Sequence, residues 1–364
     1  MTNTNSRPTL LFSLRGHKVA CTSLCLSEIS EIYFLFSGDE FGNVLVWNLN
    51  TRRVVEVIEK VESTLTKEFG LEKKDSNGQS IRPQEGLACP TASAQSREPQ
   101  ETAWKPHDSS ILHLMYHAKR SLLFTQARDN QLKIWKLSHS GDHQMMQAKL
   151  IRQLPIDSLH FCKFDLLNDS VAFCLAAPKV AILDVSDLVK ETEKTKSVDP
   201  IFIDLESGKG ACTCLAWKSA EELVVGYEDG SVVGLSASSF STRSLYWKHD
   251  EVVLNLKAYP DDILLSSGAD DQVLSSNNDK LTVKLPHPGV SAMAWDAPSN
   301  TMVLCSWKGS ILFYNGSLPV GDFVEHRKPL RSCCIGHVSI NRKSIQLVLV
   351  SSEDGRISAW GIDW

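Results

Sequence analysis

The chain has 364 residues, 42% of them hydrophobic, and a net charge of −5. That length can bury a large core, and the mildly acidic balance gives no electrostatic reason to expect direct nucleic-acid binding. No apolar run is long enough to cross a bilayer, and the polar first eight residues contain no apolar leader segment, so neither a membrane nor a secretory role is expected.

In chain order, the first element is a strand at 9–14. A unit then begins that recurs along the chain: an apolar strand preceded by a turn that often holds His, a second strand, and a third entered through a tight acidic or Gly turn and ending on Trp or another large apolar residue. The first copy runs from Arg15-Gly16-His17 through Phe34 to Gly38 and ends on Val44-Leu45-Val46-Trp47. The second opens at Pro106-His107, passes Leu122 to Thr125 and Asp129-Asn130, and ends at Trp135. The third and fourth are weaker, ending in Val180 to Asp184 and in Gly226-Tyr227-Glu228-Asp229-Gly230-Ser231-Val232-Val233. The fifth opens at Lys248-His249-Asp250, the sixth at Pro286-His287, and the seventh at Glu325-His326-Arg327, closing on Ala359-Trp360.

Away from one insertion, the third strands end about 40 to 50 residues apart, close to the period of WD repeats. Stretches at 51–58, 145–151, 200–205, 241–247, 279–285 and 317–324 read as outer, fourth strands. That leaves six outer strands for seven units. The strand at 9–14 is expected to supply the seventh by pairing with the last unit, closing the ring without a long free edge. The expected fold is therefore all-β: one domain over 1–364, a seven-bladed WD-repeat β-propeller.

The His, Ser/Thr, Asp and Trp of such a unit can hydrogen-bond in a chain that satisfies the buried indole and imidazole nitrogens. The second unit has His107, Thr125, Asp129 and Trp135; the seventh has His326, Asp354 and Trp360. The first has His17, Ser37 and Trp47, with Phe41 at the Asp position. The fourth keeps Asp229 but has Leu235 for the Trp, and the fifth keeps His249. Because these pairs recur by unit, they read as structural and not catalytic. On the face with the His turns and acidic hairpins, Lys18, Glu40, Arg128, Glu228, Asp270, Arg327 and Glu353 are expected; their mixed signs suit a protein partner.

Residues 59–103, between the first and second units, form a low-complexity insertion rich in Ser, Gln, Glu, Lys and Pro, with a short amphipathic stretch at 61–69; it reads as a solvated linker or a partner-binding segment. A second, shorter loop falls at 190–198. The ten cysteines are spread thinly and mostly lie in apolar strands, as with Cys162, Cys174 and Cys305. No C-x-x-C pair occurs, and Cys212 and Cys214 share a strand face without making a metal knuckle. Buried free thiols are expected, with no metal and no cofactor. Phosphate-loop, nucleophile-elbow and zinc-protease motifs are missing from the sequence, so no enzyme is expected.

Three segments carry a narrower resemblance: Leu35 to Gly38 continuing through Gly42 to Leu49 and Thr51-Arg52-Arg53; the Gly226 to Val233 string; and a seventh repeat reaching almost to the end of the chain. On these the chain resembles the ASTRA-associated protein 1 family of fungi, with its animal relative, the guanine nucleotide-binding protein β-subunit-like protein 1. The resemblance implies a scaffold in the nucleus, or in nucleus and cytoplasm, in an assembly with a Tel2–Tti1–Tti2-type co-chaperone, phosphatidylinositol-3-kinase-related kinases of the Tra type and RuvB-like ATPases, with chromatin regulation downstream. Two other readings stay open: a substrate receptor of a ubiquitin ligase, and a propeller enzyme or small-ligand binder using the central channel. The last requires polar groups converging on the axis, which the weak third to fifth units are not expected to supply.

Overall fold

The computed structural model describes residues 7–60, 103–139, 145–156, 161–175, 179–186, 188, 199–206, 208–239, 241–260, 262–276, 283–340 and 343–362. Among them, 28 strands and one short 3-10 turn account for the regular structure. After β1 (Thr9–Arg15), the first unit supplies β2 (Cys21–Ile29), β3 (Ile32–Asp39), β4 (Val44–Asn48) and β5 (Arg53–Lys60); the second supplies β6 (Ile111–His117), β7 (Leu122–Ala127), β8 (Gln131–His139) and β9 (Met145–Pro155). The third has β10 (Asp165–Leu167), β11 (Ser170–Leu175), β12 (Lys179–Asp184) and β13 (Ile201–Asp204). The fourth has β14 (Cys212–Ser219), β15 (Glu222–Tyr227), β16 (Ser231–Ser236) and β17 (Thr242–Lys248). The fifth has β18 (Val253–Tyr259), β19 (Ile263–Gly268), β20 (Gln272–Ser275) and β21 (Val283–Lys284), and the sixth has β22 (Val290–Asp296), β23 (Thr301–Ser306), β24 (Ile311–Asn315) and β25 (Leu318–Phe323). The last three strands are β26 (Leu330–Ile340), β27 (Lys343–Ser352) and β28 (Arg356–Ile362).

These strands form five four-stranded antiparallel sheets and one eight-stranded sheet, a repeated, propeller-like arrangement. One of the four-stranded sheets joins the two ends of the chain: β1 pairs antiparallel with β28, from Thr9 opposite Gly361 to Arg15 opposite Arg356. The middle strands are apolar on both faces; β4 and β7 are buried throughout, as expected for strands covered on both sides by neighbouring sheets.

The eight-stranded sheet departs from the expectation of separate units. Its order is β2-β3-β4-β5-β9-β8-β7-β6, with β5 and β9 parallel from Glu56 opposite Met145 to Lys60 opposite Lys149. β4 engages β5 only at Arg53 to Val55, so the rest of β5 offers unpaired backbone groups. Met145 to Lys149 of β9, most of them paired with β8 on their other side, take up these groups and cover an edge that would otherwise be free. The expected insertion also starts later than 59, because Glu59 and Lys60 belong to β5; the rest of it, apart from residue 103, lies outside the described residues, as does the loop at 190–198. Where the chain returns, Trp104 is buried against Trp135 with ring centroids 4.9 Å apart, accepts a hydrogen bond from Val44 N at 2.7 Å and donates its indole N–H to Glu59 at 3.3 Å.

Packing between sheets is as regular as pairing within them. Among the described residues, each apolar cluster straddles two consecutive units: Phe36 and Val46 with Ile111 and Leu123, Phe124 and Ile134 with Phe164 and Phe173, Val180 and Leu205 with Leu215 and Leu223. The series continues with Val224 and Val232 on Val253 and Leu264, Leu265 and Val273 on Met293 and Leu304, and Phe313 on Val348 and Trp360. It ends with Leu347, Leu349 and Ile357 packed on Leu35, Leu45 and Trp47, with Leu14 of β1 in the same cluster. Each fully buried side chain of this kind contributes roughly 1.5–3 kcal/mol, so the inter-sheet seams carry much of the stability.

Candidate functional site

The recurrent polar residues form hydrogen-bonded sets at one end of the sheets. In the second unit, His107 Nδ1 lies 2.8 Å from Asp129 and Nε2 lies 2.7 Å from the Thr125 hydroxyl, which also accepts from the Trp135 indole at 3.0 Å. In the first, His17 Nε2 and the Trp47 indole both meet Ser37 Oγ, at 2.7 and 2.8 Å. The carboxylate there is Asp39, 3.1 Å from His17 Nδ1, although spacing points to Phe41. Ser37 and Asp39 share one face of β3, so an acid at the end of the strand, two residues early, reaches the same imidazole.

Two further sets draw a member from another strand. In the seventh unit, His326 Nδ1 meets Asp354 at 3.1 Å, and the hydroxyl is Ser358, 2.9 Å from both His326 Nε2 and the Trp360 indole. Ser358 lies directly across the β27–β28 ladder from Val350, which occupies the hydroxyl's usual place. In the fifth unit, His249 meets Asp270 at 2.8 Å and Ser266 at 2.7 Å, while the indole comes from Trp247 on β17, 2.7 Å from Ser266. Asp270 is therefore buried, at 8% exposure, and does not belong on a partner face. Asp229 has no His; it accepts from Ser231 N and Oγ, both at 2.9 Å.

The electrostatics of these sets differ with their neighbours. Burial opposes charge on Asp39, Asp129 and Asp354, but hydrogen bonds outweigh it and hold each below the usual carboxylate range: from His17 and Asn43, from His107, and from Arg356 and His326. Burial likewise opposes charge on His17, yet Cys21 and Asp39 carry it up to about 9. For His326, burial prevails over Asp354 and, with Arg356 adjacent, the imidazole is held below 6.5. Arg356 binds Asp354 at 2.9 Å and shares the charge that His326 would otherwise use.

By pinning four of the acidic hairpins to the entry of a first strand, the sets shape the rim of a cavity of about 1010 Å³. Its wall takes residues from every unit, from Thr22, Arg128 and Lys163 through Thr213 and Asn255 to Ser291 and Arg331. Three large aromatic residues stand exposed on it: Phe41 (59%), Phe161 (52%) and Trp307 (49%). Asp39 places the first of these. Its Oδ1 accepts from Phe41 N at 2.9 Å and Asn43 N at 3.0 Å, closing a turn in which Gly42 has φ +86°, and the Phe41 ring is left at the tip. The Arg128 guanidinium lies 4.3 Å over the Phe161 ring, a cation–π contact.

Of the residues expected on a partner face, Glu40, Arg128 and Glu228 line this cavity and are exposed; Lys18 and Arg327 are exposed but outside its lining. Glu353 is half-buried in an ion pair with Arg331. The third and fifth units do supply polar groups to the cavity wall, against expectation: Lys163 and Asn255 line it. Lys163 is lowered to about 8 by burial and by Lys257, and burial, Lys257 and Lys163 keep His113 well below its usual value. Burial also raises Asp165, which accepts from Trp217 N at 2.8 Å. Sequence reasoning missed these residues because none of them occupies a His, Ser/Thr, Asp or Trp position of the repeat.

No family model matches the chain. Several curated proteins are similar over most of its length. ASTRA-associated protein 1 of Scheffersomyces stipitis is 21% identical, covering 90% of this chain and 79% of its own length. Guanine nucleotide-binding protein subunit beta-like protein 1 of Mus musculus is 23% identical, covering 96% and 95%. ASTRA-associated protein 1 of Schizosaccharomyces pombe is 24% identical, covering 97% and 98%.

Proposed function

We propose that this chain, a WD-repeat-like relative of the ASTRA-associated protein 1 family, is a closed ring of seven four-stranded blades acting as a non-catalytic adaptor. The ring reading is supported by the β1–β28 pairing, by apolar seams that run from each unit to the next and from the last to the first, and by one cavity walled by every unit. On this reading the eight-stranded sheet is two blades joined at their outer strands.

The observation that carries the adaptor role is the cavity mouth, where Phe41, Phe161 and Trp307 are exposed among charges of both signs. Aromatic anchors ringed by mixed charge suit a protein partner. Through the family resemblance, the partners proposed are the Tel2–Tti1–Tti2-type co-chaperone, Tra-type phosphatidylinositol-3-kinase-related kinases and RuvB-like ATPases. The setting is the nucleus, and chromatin regulation follows from kinase assembly. Affinity purification with mass spectrometry of the intact protein and of a Phe41→Ser, Phe161→Ser, Trp307→Ser variant tests this. Recovery of Tel2-type and RuvB-like proteins with the intact chain, lost in the folded variant, is expected. Recovery of cullin components without them favours a ubiquitin-ligase receptor and rejects this assignment.

A further inference from the structure

Cys162, Cys174 and Cys212 reach one point from three parts of the chain: the segment leading into β10, the second strand of the third unit, and the first residue of β14. Their sulfurs lie 2.9 Å (Cys174 to Cys212), 3.1 Å (Cys174 to Cys162) and 3.7 Å (Cys162 to Cys212) apart. All three are buried. Val180, Leu205, Leu215 and Tyr227 pack around them in an apolar seam. Thiols used only as small apolar filler have no reason to turn three sulfurs toward one another. Leu or Val fills such a seam with better packing and no polar atom.

We propose that these three side chains form a site for a single soft, thiophilic metal ion, cuprous copper in particular. Three sulfurs bound to one ion at ~2.3 Å lie roughly 3.8–4.0 Å from each other. One separation is already close to this, and the others are reached by widening of about 1 Å. Soft thiolate donors select cuprous copper, zinc or iron–sulfur clusters. Among the described residues no fourth His, Cys or carboxylate joins the three. Structural zinc sites close with four protein ligands, so a three-sulfur set fits the ion content with fewer donors. On binding, each thiol that becomes a thiolate exchanges its S–H bond for a metal–sulfur bond and releases its proton to solvent. The apolar shell then shields the ion from water and oxidant. The site joins the third and fourth units, whose repeat signatures are the weakest, so the ion would clamp a seam that lacks the His–Asp–Trp sets.

The test uses the full-length protein, reduced and anaerobic, titrated with cuprous ion against a competing chelator. One ion per chain is expected, with three sulfur scatterers at ~2.3 Å in its X-ray absorption. Cys174→Ala should weaken retention by more than roughly 100-fold, beyond the range seen when only outer partners of a metal ligand are lost. Cys25→Ala, at a half-buried thiol elsewhere, should leave it unchanged, and circular dichroism checks that both variants fold. Failure of the intact protein to hold copper against the chelator, equal retention by a folded Cys174→Ala, or nitrogen and oxygen scatterers in place of sulfur each overturns the proposal. A parallel zinc titration in which zinc is held in preference to copper overturns the cuprous assignment.

Discussion

Ser37 shows how much rests on one hydroxyl, since it meets both His17 Nε2 and the Trp47 indole N–H. Ser37→Ala leaves both nitrogens buried without a partner, and the expected cost is about 1–3 kcal/mol, read as a lower urea midpoint. The two terminal sets should also respond to pH in opposite directions. His326 is held below 6.5 when folded, so its contribution is present above pH 6.5 and is lost as pH falls through the folded value. His17 is raised to about 9, so its contribution is complete below pH 6.5 and is lost as pH rises through about 9. Histidine titrations by NMR should separate the two, and Arg356→Gln should move His326 upward; an unmoved His326 would remove the role given to Arg356. Spacing made His107, Thr125, Asp129 and Trp135 legible because all four lie in one unit. It hid Ser358 and Trp247 because a hydrogen bond needs only an atom in the right place. A facing strand or a neighbouring sheet supplies that atom as well as the expected position does.

At the scale of elements, the outer strands were readable from alternation and turn residues: 200–205 contains β13 and 317–324 contains β25. The strand at 9–14 was readable by arithmetic, since the units needed one more strand than the segments between them supplied. Its removal should expose the β28 edge and uncover the seam containing Leu14, Ile357 and Trp47. A chain lacking residues 1–15 is therefore expected to self-associate on size exclusion, while Leu14→Ala alone should remain monomeric and lose about 2–5 kcal/mol. The parallel β5–β9 pairing was not legible. It depends on how far one outer strand overhangs its own sheet and on where the next sheet places its edge, and neither quantity is local to either segment.

For the whole molecule, the cavity mouth gathers turn tips that are distant in sequence. Phe41 at the Asp position read as a lost motif, whereas in the structure Asp39 does the bonding and Phe41 is an exposed aromatic ring at the cavity mouth. Once a partner is in hand, alanine at Phe41, Phe161 or Trp307 should each weaken its binding by about 2 kcal/mol or more. Alanine at Lys18 or Arg327 should cost less than about 1 kcal/mol, because exposed charges contribute little. Calorimetry on the purified pair distinguishes these outcomes, and equal losses at all five positions would place the contact elsewhere.

The sequence alone determined the all-β class, the repeating unit, its period, and the His and most of the Asp and Trp positions that recur with it. Strand alternation and hairpin turns are set by neighbours a few residues apart, and a repeat writes the same local solution many times. The tertiary structure decided which hydroxyl completes each set, which aromatic residues remain exposed, which polar groups line the cavity, and that Cys162, Cys174 and Cys212 share one point. Those are meetings between sheets. Their partners are selected by the curvature and stacking of the whole assembly, which no stretch of sequence encodes by itself.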